Sequence, residues 1–164
     1  NTMEPKAAGT VIMKEAGTVG VKAVAAKDNI IAVKIKSTRM LLAYGFLRKI
    51  FEVFEKYKTS IDMITTSEVA VSVSIDNDMH LNEIIAELSN IASVEVEKNQ
   101  TIVSIVGNEI AKTDAVLNKL FQAINEVPIT MVSYGGSPHN ISLLIPSAHK
   151  TKTLQLINKG LFNL

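Results

Sequence analysis

Apolar residues alternate with small or polar ones in two short segments near the start of the chain. Residues 19–26 (VGVKAVAA) and 30–35 (IIAVKI) carry this period of two, and the residues between them, Lys27-Asp28-Asn29, are typical of a turn. Such alternation is the pattern of a half-buried β-strand. The sequence therefore predicts two short strands separated by a turn.

From Gly45 the apolar spacing lengthens to that of a helix. Apolar side chains recur three or four positions apart from Phe46 and Leu47 to Tyr57, and charged residues fill the opposite positions. This spacing draws one apolar stripe along a helix that ends near Lys58.

Alternation then returns and is followed by a second helical pattern. Residues 60–65 and 69–75 are rich in β-branched side chains and predict two adjacent strands. A helix over 81–91 and a strand over 93–96 follow. Counted from residue 30, the order is strand, helix, strand, strand, helix, strand, which is the ferredoxin-like βαββαβ arrangement of an α+β fold.

The same order begins again after residue 100. Residues 101–106 predict a strand, 115–124 a helix, 129–134 and 140–145 two strands, and 148–158 a last helix. The first of these helices is expected to turn five side chains inward: Val116, Leu117, Leu120, Phe121 and Ile124. The chain is therefore predicted to be an internal duplication.

The second copy lacks a fourth strand of its own, because only residues 160–164 follow its last helix. The spare strand at 19–26 belongs to neither copy in sequence order. We therefore expect it to complete the second sheet, so that the first unit, residues 30–100, is inserted into a second unit formed by 19–29 and 101–164.

The charge balance narrows the classes of partner. Seventeen Lys and Arg residues against sixteen Asp and Glu give a formal net charge of +1, and there is no cysteine. We expect no nucleic-acid partner, because polyanion binding draws on a strong positive field. No apolar run reaches the roughly 20 residues that cross a bilayer. The composition fits a cytoplasmic protein without disulfides, and the three scattered histidines predict no metal site.

One segment resembles a known regulatory motif. Residues 60–71 (SIDMITTSEVAV) are similar to the effector-binding segment of aspartate kinases, Ser-Val-Asp-Leu-Ile/Val-Thr/Ala-Thr-Ser-Glu-Val-Ser. Residues 45–47 (GFL), 103–109 (VSIVGNE) and 131–135 (MVSYG) agree in the same order. Over essentially its whole length, the chain resembles the C-terminal regulatory region of lysine-sensitive aspartate kinases, two ACT domains in tandem.

The resemblance implies a kinase domain upstream that this chain does not contain. That domain carries a Lys-Phe-Gly-Gly signature, which is absent here, and residues 1–18 would be the linker from it. The parent enzyme would use ATP and magnesium to phosphorylate the side-chain carboxylate of aspartate, on the route to lysine, threonine and methionine. The chain alone would be non-catalytic and without cofactors.

A sensor of free amino acids needs groups for both a carboxylate and an ammonium. Unpaired N–H groups at the start of the helix near Gly45 suit the carboxylate, and Asp62 and Glu68 can receive ammonium groups. Two acids would suit a ligand with two amines, which is lysine. The resemblance implies these effector-binding residues: Met40, Gly45, Phe46, Leu47, Ser60, Ile61, Asp62, Thr66, Ser67 and Glu68.

Alternatives remain open on the residues themselves. Without the resemblance, the pattern favours a solvent-facing Asp62 and a simple turn at Thr66, Ser67 and Glu68. Leu42 and Ala43 stand where lysine-sensitive bacterial relatives commonly carry polar residues. The leading hypothesis is therefore a homodimer that binds lysine. The alternatives are that threonine is the effector, or that the chain is an oligomerisation module with a degenerate site.

Overall fold

The computed structural model describes residues 18–37 and 44–162. Six strands and four α-helices follow the chain in this order: β1 (Gly20–Lys36), α1 (Phe46–Lys56), β2 (Met63–Thr66), β3 (Ala70–Ile75), α2 (Leu81–Leu88), β4 (Ser93–Asn108), α3 (Asp114–Ala123), β5 (Met131–Ser133), β6 (Asn140–Pro146) and α4 (Lys150–Ile157). Short 3-10 helices precede α3 and α4, and a π-helical turn, Asn158–Phe162, follows α4. No helix of the described ranges is long and apolar enough to cross a membrane.

β1 and β4 are each one long strand, and the prediction of two strands in each place was wrong. The register between them shifts near Lys27 and Ile30, and Asn29 and Asn99 adopt left-handed φ values of 60° and 58°. A single left-handed residue in a strand makes a bulge, which bends the strand without reversing it. The turn-like residues at 27–29 therefore form a bulge.

The strands form one antiparallel sheet in the order β2-β3-β1-β4-β6-β5. Residues 31–36 of β1 pair with β3, whereas residues 20–27 of β1 pair with the last part of β4. Residues 100–106 of β4 also pair with β6. The first half of β1 thus pairs with the part of β4 that also pairs with β6.

Each half of the sheet is covered by its own pair of helices. Ile50 and Phe54 of α1 and Ile84 of α2 pack on the half that contains β3. Leu120 of α3 and Ile157 of α4 pack on the half that contains β6. Two separate apolar cores result.

The opposite face of the sheet forms a third core between the two halves of the sheet. Its buried members come from five strands: Ile30, Ala32, Met63, Ile102, Met131 and Leu144. The edge strands β2 and β5, at opposite ends of the strand order, are in contact. The sheet therefore bends back on itself, and its two halves share this core.

Two residues assigned to apolar stripes lie at the surface instead. Leu47 in α1 is 39% exposed and Phe121 in α3 is 36% exposed. The error has a simple cause, since a stripe read from spacing alone is wider than the face that the sheet covers.

Candidate functional site

The first part of the predicted site is the start of α1. Gly45 caps the helix in a left-handed conformation, φ 79°, which glycine adopts without strain. Its carbonyl accepts a hydrogen bond from the N–H of Lys49 at 3.1 Å, and no side chain within residues 18–37 and 44–162 caps the helix. The first N–H groups are therefore available to an anion. Met40 lies outside the described residues, as do Leu42 and Ala43.

The apolar members of this part differ in exposure. Phe46 is buried in the first core, as a packing residue would be, whereas Leu47 is exposed beside the helix start. Tyr44, just before the cap, is fully exposed. An apolar surface therefore adjoins the open end of α1.

The second part lies where the chain enters β2. Ser60 is exposed and Ile61 packs against the first core. The N–H of Asp62 donates to the carbonyl of Ser74 at 2.9 Å, which fixes the backbone. The Asp62 carboxylate receives the ammonium of Lys27, with Nζ at 2.9 Å from Oδ1 and 3.0 Å from Oδ2.

Lys27 also binds a second acid that the sequence analysis missed. Its Nζ lies 2.8 Å from Oδ2 of Asp76, the residue after β3. The pKa of Lys27 is raised, first by its hydrogen bond to Asp76 and next by that to Asp62, and the same lysine lowers the pKa of Asp76. Lys27 therefore bridges two carboxylates as a charged ammonium.

The third part is the turn between β2 and β3. Thr66 ends β2 and is exposed, and the N–H of Ser67 closes the turn on the carbonyl of Ala70 at 2.8 Å. Glu68 is exposed at the tip. These side chains are placed as turn residues, with their polar groups facing outward.

A single chain does not bring the two predicted acids together. β2 spans Met63–Thr66, so Asp62 and Ser67 lie roughly 16 Å apart at about 3.3 Å per residue. Glu68 lies one residue further. The start of α1 is at the end of β2 that carries Thr66, because the last turn of α1 leads directly to residue 60. Within one chain, Asp62 and Glu68 therefore lie toward opposite ends of β2.

Two cavities adjoin these segments. A cavity of about 670 Å³ opens where β1 ends and β3 begins, beside the loop from Ser89 to Ser93. A smaller one of about 270 Å³ is lined by Lys27 and Asp62 together with Met63 and the hydroxyl of Ser104. Among the residues that the structure describes, no group of His, Cys, Asp and Glu side chains could hold a metal ion.

Comparisons with known sequences give related proteins of one kind. A family model described as ACT domain matches residues 103–161. Aspartokinase 2, chloroplastic, from Arabidopsis thaliana is 32% identical over 99% of this chain and 32% of its own length. Lysine-sensitive aspartokinase 3 of Escherichia coli is 29% identical over 99% of this chain and 38% of its own length. The chain thus spans about a third of these curated relatives.

Solved structures show the same relationship. A putative C-terminal regulatory domain of aspartate kinase from Porphyromonas gingivalis shares 44% identity, covers 86% of this chain and 97% of its own, and superposes with a TM-score of 0.77. E. coli aspartokinase III with lysine and aspartate (T-state) shares 30% identity over 98% of this chain and 38% of its own, with a TM-score of 0.84. The structure of the same enzyme with aspartate and ADP (R-state) superposes with a TM-score of 0.88, at the same identity and coverage.

Proposed function

Because the chain belongs to the regulatory regions of aspartate kinases, which are built from ACT domains, we propose that it binds free lysine and thereby inhibits an attached kinase domain. That domain would use ATP and magnesium to phosphorylate aspartate. The lysine bound in the T-state relative supports this choice of effector. For inhibition, lysine must bind one arrangement of the kinase domains more tightly than the other.

The observation that carries the proposal is the position of the two site halves at opposite ends of an edge strand. β2 pairs with β3 on one side and is the last strand of the sheet; although it is in contact with β5, its other edge makes no strand pairing among the described residues. If two chains associate about a two-fold axis with their β2 strands antiparallel, Asp62 of one chain lies beside Glu68 of the other. Two equivalent sites then form, each from both chains.

Such a composite site has the chemistry that lysine requires. The open N–H groups after Gly45 would receive the α-carboxylate, and Thr66 and Ser67 would add hydroxyls. Asp62 and Glu68, from different chains, would receive the two ammonium groups. Threonine has one amine and would leave one acid without a ligand partner.

A second candidate function is an oligomerisation module with a degenerate site. The apolar side chains exposed near β2 favour an interface between chains, since Leu47, Ile64 and Val69 are 39%, 44% and 46% exposed. This surface serves both candidates. They differ in whether lysine binds to the dimer.

The domain boundaries stay a prediction that the strand pairing supports. We propose a first ACT unit at residues 30–100 and a second at 19–29 and 101–164, with the kinase domain preceding residues 1–18. Residues 20–27 pair with β4 beside β6, and Val21 and Val24 pack against the second core. The boundary within β1 would fall at the bulge around Asn29.

Isothermal titration calorimetry of the chain with lysine and with threonine tests the effector. We expect heat with lysine, and an Asp62→Asn variant should bind lysine at least about tenfold more weakly, because one charge-assisted hydrogen bond is lost. Glu126→Gln is the matched control, since Glu126 also pairs with a lysine, Lys152 at 2.6 Å, but lies in the second unit.

Two outcomes would count against the proposal. Absence of heat and of any thermal shift with lysine, for a chain that still dimerises, would favour the oligomerisation module. Binding of threonine in preference to lysine would overturn the choice of effector while leaving an amino-acid sensor.

A further inference from the structure

Lys27 links the proposed effector site to the second unit. It lies in the half of β1 that pairs with the second copy, opposite Ile102 of β4. Its two acid partners belong to the first unit, because Asp62 precedes β2 and Asp76 follows β3. The contact therefore joins a residue of the proposed site to a strand outside its own unit.

The ammonium of Lys27 is bound to the Asp62 carboxylate, which is the group that would receive the effector amine. Both oxygens of Asp62 lie within hydrogen-bond distance of Nζ, and the Asp62 side chain is only 26% exposed. A ligand amine has the same charge and the same three donors as Lys27. Two ammonium groups at one carboxylate repel each other, so the ligand and Lys27 compete for it.

We propose that Lys27 is a specificity-determining residue of the effector site, an internal ammonium that holds Asp62 when no ligand is bound and releases it when a ligand amine arrives. This inference rests on the proposed function, because it takes Asp62 as the residue that receives the amine.

The geometry keeps the free-energy cost of this exchange small. Lys27 keeps Asp76, at 2.8 Å, when it gives up Asp62, so the displaced ammonium is not left unpaired. The cavity of about 270 Å³ beside the pair is lined by both Lys27 and Asp62, which leaves space for a second cation to approach. The lysine side chain is 48% exposed and can rotate toward solvent.

Two consequences follow for regulation. A ligand binds through Asp62 only if its amine outcompetes Lys27, so a ligand without an ammonium group gains nothing at this position. Each binding event also breaks one of the two ion pairs, to Asp62 and to Asp76, that Lys27 makes between the proposed units. Effector binding and the contact between the units are therefore coupled, and by linkage the coupling acts in both directions.

Calorimetry with lysine on two variants of the chain tests this competition. Lys27→Gln should bind lysine about two- to fivefold more tightly, because the competing ammonium is gone and the pair it breaks is partly exposed. Asp76→Asn should bind lysine more weakly, because Lys27 is then left with Asp62 as its only acid. Lys27→Arg keeps the charge and should stay closer to the unaltered chain than Lys27→Gln does.

Lys152→Gln is the matched control, since it breaks a comparable ion pair with Glu126 in the second unit and should leave lysine affinity unchanged. Thermal unfolding of every variant verifies that it folds. If the unaltered chain binds lysine and Lys27→Gln binds it equally or more weakly, the inference is overturned and the proposed function stands. If lysine binds to Lys27→Gln but not to the unaltered chain, Lys27 blocks the site completely, which would support the inference. Binding by neither chain would overturn both.

Discussion

Replacing Phe54 by alanine is expected to lower the free energy of unfolding by about 3–5 kcal/mol. Phe54 is 2% exposed and is among the largest fully buried side chains of the chain. It lies on the face of α1 that packs against β1 and β3 in the first core. Removing the ring takes away its apolar burial and leaves a cavity that the surrounding strands cannot close.

Phe121→Ala is the matched control, because the same side chain in α3 is 36% exposed. We expect this variant to lose about 1 kcal/mol or less. Urea unfolding followed by circular dichroism measures both. Equal losses in the two variants would contradict the assignment of Phe54 to the core and of Phe121 to the surface.

Replacing Gly107 by alanine is expected to cost about 3 kcal/mol, because there is no space for a methyl group at this point of β4. A Cβ there would lie 2.2 Å from the carbonyl oxygen of Gly20 and 2.8 Å from the Cα of Val21, both backbone atoms of β1. It would also lie 2.6 Å from a methyl group of Ile110. Backbone atoms cannot move aside without separating β1 from β4.

Gly136→Ala provides the comparison, since a Cβ at this position meets nothing within 4 Å and the residue has no positive φ. It should change the midpoint of thermal unfolding little. Hydrogen exchange should show loss of protection in Gly107→Ala first at the start of β1, around Gly20 and Val21. A Gly107→Ala variant as stable as Gly136→Ala would show that the two strands are not in this close contact.

Local spacing predicted the helices and most strands, because burial against a sheet imposes its period on the sequence. It failed where the structure depends on a distant partner. Lys27-Asp28-Asn29 has the composition of a turn, but pairing with β4 keeps the chain extended and leaves a bulge at Asn29. Nothing within that tripeptide distinguishes the two outcomes.

The proposed site shows the same limit. The motif at residues 60–71 indicated Asp62 and Glu68 through its resemblance to a family, but it did not indicate that β2 is an edge strand of the sheet. Lys27 and Asp76 were missed because an ion pair between residues far apart in the chain has no local pattern. Only the topology, which folds β1 beside β3, brings them together.

β1 and β4 each extend from one proposed unit into the other. Two paired strands, and not one linker, therefore join the units. A pair of domains joined by one flexible segment can rotate independently, whereas here two hydrogen-bonded strands resist sliding and yield mainly by twisting. A protease cut in either strand would still leave the units joined through the other. A displacement of one half of the sheet would therefore be transmitted to the other half through both strands, with no flexible linker between them.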